Sequence, residues 1–500
     1  MEKGSRFIRR FVSALIVLLI LSSWACADSR YVRLTILHTN DTHSHLLPFS
    51  YPSTVMVEGQ QMNLPAYKDI GGIARRATLI KRIRAEQNPA LVLDAGDIID
   101  GSPFSIEFAG EADFAAVNAA GYDAAVTGNH EYSNTYDDFN KRLFEAEFPV
   151  IGANVYRIST GSPILTPYII RNEDGLRVAI LGLVTPNNYT AVKEGNLEIK
   201  DPIQTAKEWV PKLRECADAV ILLTHIGFDE DKKLAEQVPG IDAIIGGHSH
   251  TRLEHPVLVK HAPDSDPFSL DGTVIAQDFQ WGGDLGEVDL TFRKGDSGWT
   301  LMSYSGRLIP VTNDIPEDAK VREVVEKYHR QIASKYDVVL GEATADFIGE
   351  APINMVSDAL RETYKADFAV QNYGGVRTDL VQGPITAGDI ATLFPFGNST
   401  LTFQVTGVQL KGILRSGRPA VSGIKYRITG GKLISAEIGG KPIEDTKVYS
   451  GVTHSFYASN VFPKEIKTSD TGVPVRDVIV KYIREKKTIS PDGTKRAEID

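Results

Sequence analysis

Seven oxygen and nitrogen donors stand at the carboxyl ends of short apolar runs in the first half of the chain, and they are of the types that hold divalent cations. The run from Val32 leads into Asp41-Thr-His43-Ser-His45, and Pro89 to Asp94 leads into Ala95-Gly96-Asp97. Asp123 to Val126 leads into Thr127-Gly128-Asn129-His130-Glu131, Ala219 to Thr224 ends in His225, and Ile241 to Ile245 ends in Gly246-Gly247-His248-Ser249-His250. The candidate ligands are Asp41, His43, Asp97, Asn129, His225, His248 and His250. Oxygen and imidazole donors without sulfur suit Zn or Mn, and seven are too many for one tetrahedral ion but fit two ions with open positions, a carboxylate such as Asp97 bridging them. Two cations ~3.5–4 Å apart deprotonate water near neutral pH and clamp the non-bridging oxygens of a phosphoryl centre, so the natural reaction is phosphoester hydrolysis. His130, beside Asn129 and not needed as a ligand, is placed to act as a cation or acid toward the phosphate or the leaving oxygen.

The elements that must position these donors are read from the same runs. Each reads as a strand buried on both faces, with its donor at the carboxyl edge where open α/β sheets bind ligands. Asp41 and His43 are two apart, so strand alternation is expected to aim both to one side. Gly71 to Arg84 has apolar residues at helical spacing and reads as an amphipathic surface helix, with Arg75 and Arg76 on its solvated face. Ser105 to Ala120 reads as a helix stopped by Gly121, Thr135 to Glu147 as another, and Gly175 to Val184 as a turn and buried strand, which together make an α/β layered domain. Beyond His250, Thr273 to Phe279, Gly286 to Phe292 and Trp299 to Ser305 read as strands completing that domain. A proline-containing polar segment, Pro310 to Asp318, followed by the helical pattern Val321 to Tyr336, marks the boundary to a second domain.

Five hundred residues, 42% hydrophobic and 24% charged, make two ordinary globular domains the expectation and leave no room for a largely disordered chain. Lys3, Arg6, Arg9 and Arg10 before the apolar run Phe11 to Leu21 form a signal-peptide pattern, and no later stretch approaches the ~20 apolar residues of a membrane span. Ala25-Cys26-Ala27 favours cleavage after Ala27, giving an exported periplasmic or extracellular protein; a lipid anchor through Cys26 is the alternative. With Cys26 removed only Cys216 remains, which excludes an intramolecular disulfide and a cysteine-based metal site. Loss of those four basic residues and Glu2 moves the formal charge from −10 to −13, which argues against a nucleic-acid polymer as partner.

The five donor blocks, in this order and at strand ends, resemble the calcineurin-like metallophosphoesterases. The Ile36 to His45 form and the second half resemble, more narrowly, the exported 5′-nucleotidase family with its UDP-sugar hydrolase and cyclic-nucleotide phosphodiesterase members. The second half carries Gln371-Asn372-Tyr373-Gly374-Gly375-Val376-Arg377, Gly388-Asp389-Ile390 and Leu393-Phe394-Pro395-Phe396-Gly397-Asn398. The resemblance implies a four-layer αββα metallophosphoesterase domain over residues 28–310, a linker helix over 311–336 acting as hinge, and a smaller α+β substrate-binding domain over 337–500. It implies two divalent metal ions, one held by Asp41, His43, Asp97 and His250 and the other by Asp97, Asn129, His225 and His248. It further implies that Asn129 and His130 act on the phosphate, that Asn372, Gly374, Gly375 and Arg377 bind substrate, and that Phe396 and Phe456 clamp a base.

The chain departs from that pattern at three places. Ser133 stands where the family usually has an aspartate orienting the histidine. Ile348 stands where a second phosphate-gripping arginine is common, and Val461-Phe-Pro-Lys-Glu replaces an acidic glycine-rich motif. The expected activity is hydrolysis of nucleoside 5′-monophosphates or related nucleotides. Rivals on the same scaffold are a cyclic nucleotide, a UDP-sugar or a sulfur-oxidation intermediate as substrate, and a rival of another class is a nucleoside- or partner-binding protein with vestigial hydrolysis.

Overall fold

The computed structural model describes residues 30–57, 60–87, 89–261, 270–296 and 298–500; the leader, its cleavage site and Cys26 lie outside them. Among the described residues no helix is long and apolar enough to cross a membrane.

Two six-stranded sheets build the N-terminal half. The first contains β1 (Tyr31–Thr39), β2 (Ala90–Asp94), β3 (Ala124–Val126) and β4 (Val150–Ile151). The second contains β5 (Tyr168–Glu173), β6 (Leu176–Val184), β7 (Ala219–His225), β8 (Ala243–Ile245), β9 (Val257–Lys260) and β10 (Gly272–Ala276), while β11 (Asp284–Gly295) and β12 (Gly298–Pro310) return to the first. The strand orders are β12-β11-β1-β2-β3-β4 and β5-β6-β7-β8-β10-β9. Pairing of β1, β2, β3 and β4 is parallel, as is that of β6, β7, β8 and β10. Register sets Thr39 beside Asp94 and Val184 beside His225, so the donor-bearing ends line one edge.

Strand alternation sorts the side chains into layers. Leu34 and Ile36 of β1 and Leu91 and Leu93 of β2 face Ile180, Ile221 and Ile245 of the other sheet, whereas Leu37 and Val92 face outward under helices. Leu181, Leu222 and Ile244 form the opposite outer face, beneath Pro202–Cys216 and Phe228–Gln237. The result is the expected αββα stack.

Two local expectations change. The helix expected over Ser105 to Ala120 is two, Pro103–Phe108 and Glu111–Ala120, broken where Ala109 and Gly110 are both left-handed. Arg75 and Arg76 do not lie on a solvated face: Arg75 donates to the carbonyl and carboxylate of Asp69, and Arg76 is 1% exposed beneath Gly282. Burial pushes the Asp94 and Asp278 carboxyls above the usual carboxylate range and the Arg76 charge opposes that shift, a buried neighbourhood that helical periodicity does not foresee. Helix Ala319–Tyr336, within the stretch expected as linker and hinge, lays Val321, Val325, Tyr328, Ile332 and Tyr336 into the helical layer over the first sheet. Its Tyr328 donates to Glu111 at 2.9 Å, and Tyr336 and Lys335 donate to Glu107 at 2.6 Å.

The C-terminal half is a five-stranded mixed sheet in the order Ala420–Ser422, Phe368–Gln371, Val448–His454, Ser399–Thr406, Thr468–Pro474. Helices Glu350–Tyr364, Ala387–Leu393 and Val475–Lys486 cover one face, and Gly407–Gly417 with a second sheet covers the other.

Candidate active site

Strand alternation does not aim Asp41 and His43, because β1 ends at Thr39. Both lie beyond it in left-handed backbone, with φ of 49° and 45°, and Asp97 (56°), His248 (80°) and His250 (53°) share that conformation. It costs a non-glycine residue about 1–2 kcal/mol and clusters at functional sites. Bonds between the loops hold it: Asp41, His43 and Ser44 N–H groups donate to the carbonyls of Gly96, Asp97 and Ile98, each at 2.9 Å. The loops after β2 and β3 then close on each other without room for side chains, since a Cβ at Gly128 would fall 2.1 Å from Asp97 Oδ1.

Glu131 ties these loops together. Its buried carboxylate accepts from the backbone N–H groups of Asp97 (3.0 Å), Ile98 (2.7 Å), Ile99 (3.3 Å) and Gly128. Replacing Glu131 by Ala strands several buried donors at once and is expected to lower unfolding stability by about 3–5 kcal/mol, read from urea denaturation; a loss under about 1 kcal/mol would remove this role.

Six of the seven candidate donors come together, in two groups. Asp41, His43 and His250 offer atoms within 4.8 Å of one another, as do Asp97, His225 and His248. Asp97 Oδ2 lies 3.1 Å from His225 Nε2 and 3.8 Å from His43 Nε2, so one oxygen faces both groups as a shared ligand must. Second partners fix the rings: His43 Nδ1 donates to Asp100 O at 2.8 Å and His225 Nδ1 to Ala95 O at 2.7 Å, leaving both Nε2 atoms for the centre. Asp41 Oδ2 accepts from Asn40 Nδ2 at 2.7 Å and from His248 N–H at 2.8 Å.

These residues fit a pair of divalent cations. Asn129 Oδ1 is buried with no hydrogen-bond partner, and the buried Asp41 Oδ1 and His225 Nε2 face only other candidate ligands, His250 Nε2 at 3.2 Å and Asp97 Oδ2 at 3.1 Å, an arrangement that costs free energy unless positive charge completes it. Burial pushes His43 down to about 3 and His248 down to about 4, so both are neutral donors. His225 goes the other way: burial opposes its charge, but Asp97 and Asp41 outweigh burial and push it up to about 10, a proton taking the place where the acidic pair demands a cation.

His130 is oriented by a carboxylate that the sequence reading did not assign. Its Nδ1 donates to Asp100 Oδ2 at 2.7 Å, whereas Ser133, two residues past Glu131, only caps the turn through its N–H to His130 O. Burial disfavours the imidazolium, but Asp97 and Asp100 prevail and hold His130 above the usual histidine value. Asp100 is three residues beyond Asp97, and a second carboxylate in a metal-ligand loop is the signal that could have found it.

The C-terminal half contributes across a crevice. Arg377 and Phe396 line one small cavity together with His43, His45, Asp100, His130 and His250. Backbone fixes the arginine, whose N–H binds Leu393 O at 2.9 Å. Asn372 opens the short turn Tyr373–Gly375 that contains Gly374 and Gly375, and its Oδ1 is buried without a partner. Phe456 is not brought to this cavity; it is 51% exposed on helix Ser455–Val461, stacked on His454 at 6.5 Å.

Residues 34–252 match the calcineurin-like phosphoesterase family, and residues 339–462 match the 5′-nucleotidase C-terminal domain. The chain is 30% identical over 501 residues to 5′-nucleotidase of Vibrio vulnificus, with 87% of this chain and 86% of that one covered. It is 27% identical over 498 residues to the protein UshA of Escherichia coli, with 86% of each covered. Among solved structures it is similar to a 5′-nucleotidase precursor of Thermus thermophilus, with a TM-score of 0.80 and 27% identity over 94% of this chain and 99% of that one. With its converged donors in the half that matches a phosphoesterase and its arginine in the half that matches a nucleotidase domain, the chain belongs to the 5′-nucleotidase family of calcineurin-like phosphoesterases, metal-dependent hydrolases of phosphoric esters.

Proposed function

We propose that the protein is an exported phosphohydrolase that releases phosphate from nucleoside 5′-monophosphates or related nucleotides, with Zn or Mn as its metal. The observation that carries this reading is the cluster of Asp41, His43, Asp97, His225, His248 and His250, whose His43 and His250 line a cavity together with Arg377 and Phe396. One cation falls to Asp41, His43, Asp97 and His250, the other to Asp97, Asn129, His225 and His248. When bound, the pair supplies an activated water and neutralises charge on the phosphoryl oxygens.

The chain's own residues do the rest. Arg377 grips the phosphate, a guanidinium offering paired N–H donors to its oxygens. Asn372 accepts from a substrate hydroxyl through Oδ1, Gly374 and Gly375 let backbone approach the ligand, and Phe396 stacks on the base. His130, protonated and held by Asp100, donates from Nε2 to the departing oxygen.

The test is hydrolysis of AMP by the chelator-treated protein resupplied with Zn or Mn separately. Activity on AMP that returns with metal, and an Arg377→Ala variant whose KM rises about 10–100-fold, are expected. Full activity in chelator would overturn the metal reading; metal-dependent turnover of a UDP-sugar or a cyclic nucleotide far above that of AMP would move the substrate within the same chemistry, as the Ile348 and Val461 to Glu465 departures allow.

A further inference from the structure

Tyr189 stands just before the short helix Thr190–Glu194, where its side chain makes no capping bond. Its N–H binds Asn187 Oδ1 at 3.2 Å, and the loop it closes begins at Thr185, whose N–H is held by the carbonyl of His225 at 2.9 Å. The loop is therefore anchored at the donor cluster. Tyr189 is 37% exposed; its ring tilts against the His130 imidazole with 5.6 Å between centroids, and its hydroxyl oxygen lies 3.3 Å from Asn129 Nδ2.

In that bond the amide donates and the phenol oxygen accepts, so the hydroxyl proton is unspent. The same bond sets the amide: with Nδ2 turned to Tyr189, the orphaned Oδ1 is the atom left for the donor cluster. A phosphoryl group in transfer spreads negative charge over three equatorial oxygens, each of which needs a cation or donor. His130 and Arg377, which line one cavity, are two such groups. Ile348, an apolar residue, adds none.

We propose that the Tyr189 hydroxyl is a further phosphate-binding group, donating to a non-bridging oxygen of the phosphoryl moiety held over Asn129 and His130. This rests on reading the centre as a phosphohydrolase site and adds to it a contact from the N-terminal half. The hydroxyl serves the phosphoryl group alone, so its contribution is the same for every ester and for free phosphate.

Tyr189→Phe keeps the ring against His130 and removes only the hydroxyl. On Zn-loaded protein, titration calorimetry with inorganic phosphate is expected to give a Kd raised about tenfold, the size of a hydrogen bond to a charged group. Metal content by mass spectrometry stays at the wild-type value, and kcat/KM falls by a similar factor for AMP and for p-nitrophenyl phosphate. An unchanged phosphate Kd overturns the proposal. So does a loss of phosphate binding that follows a loss of metal and is reversed by excess metal, which makes Tyr189 a positioning residue for Asn129, and so does a defect confined to AMP. Wild-type protein that binds phosphate but does not turn over AMP defeats the nucleotide reading and leaves the Tyr189 comparison intact.

Discussion

Replacing Asp97 by Asn is expected to lower turnover by at least ~10³-fold and to reduce bound metal from two ions to one per chain. Asparagine keeps the size of the side chain and tolerates the φ of 56° at this position, so the change removes charge and little else. Asp97 Oδ2 is the oxygen that faces both His225 and His43, and Asp97 Oδ1 accepts the His130 N–H at 2.8 Å. Losing the carboxylate therefore weakens both ion positions and loosens the loop that carries His130. The ligand shared between two cations is the one for which neither group of three remaining donors can substitute. Metal analysis and phosphate release measured on the same sample check this. Two ions retained with wild-type turnover would mean that the centre is not built around Asp97.

The donor set was legible because strands buried on both faces are continuous apolar runs, and a carboxylate or imidazole at the end of such a run stands out. The direction in which the donors point was not. Asp41 and His43 owe their orientation to carbonyls of Gly96 and Asp97, more than fifty residues away, and to a left-handed backbone that alternation cannot encode. Arg76 follows the same lesson: a helix pattern gives the face, but only the fold supplies Asp94, Asp278 and the glycine above them. The helix Ala319–Tyr336 was legible as a helix, yet its role depends on what its apolar stripe meets, and it meets the helices over the first sheet. In the second half, Arg377 and Phe396 line a cavity with His43 and His250 and Phe456 does not, a distinction set by the packing of helix Ser455–Val461 and not by spacing.

Replacing His130 by Asn is expected to lower kcat by ~10²–10⁴-fold, the range of a lost general acid or cation at the reacting group, while metal content stays at the wild-type value. The separation follows from the ligand assignment: His130 gives Nδ1 to Asp100 at 2.7 Å and is left out of both proposed ligand sets, although it offers an atom within 4.8 Å of His43 and Asp97. Asp100→Asn isolates the second half of the argument. The carboxylate favours the imidazolium, so its removal lowers the His130 pKa, and a step that needs His130 protonated then fails at lower pH. The alkaline limb of kcat/KM is expected to move toward acid in Asp100→Asn relative to wild type, and to disappear in His130→Asn. Bound cations lower the His130 pKa in wild type and variant alike, so they change where the limb lies and not the sign of its displacement. An Asp100→Asn profile whose alkaline limb stays in place, or moves toward higher pH, would show that the proton in question is not held on His130, and wild-type turnover in His130→Asn would remove the histidine from the reaction.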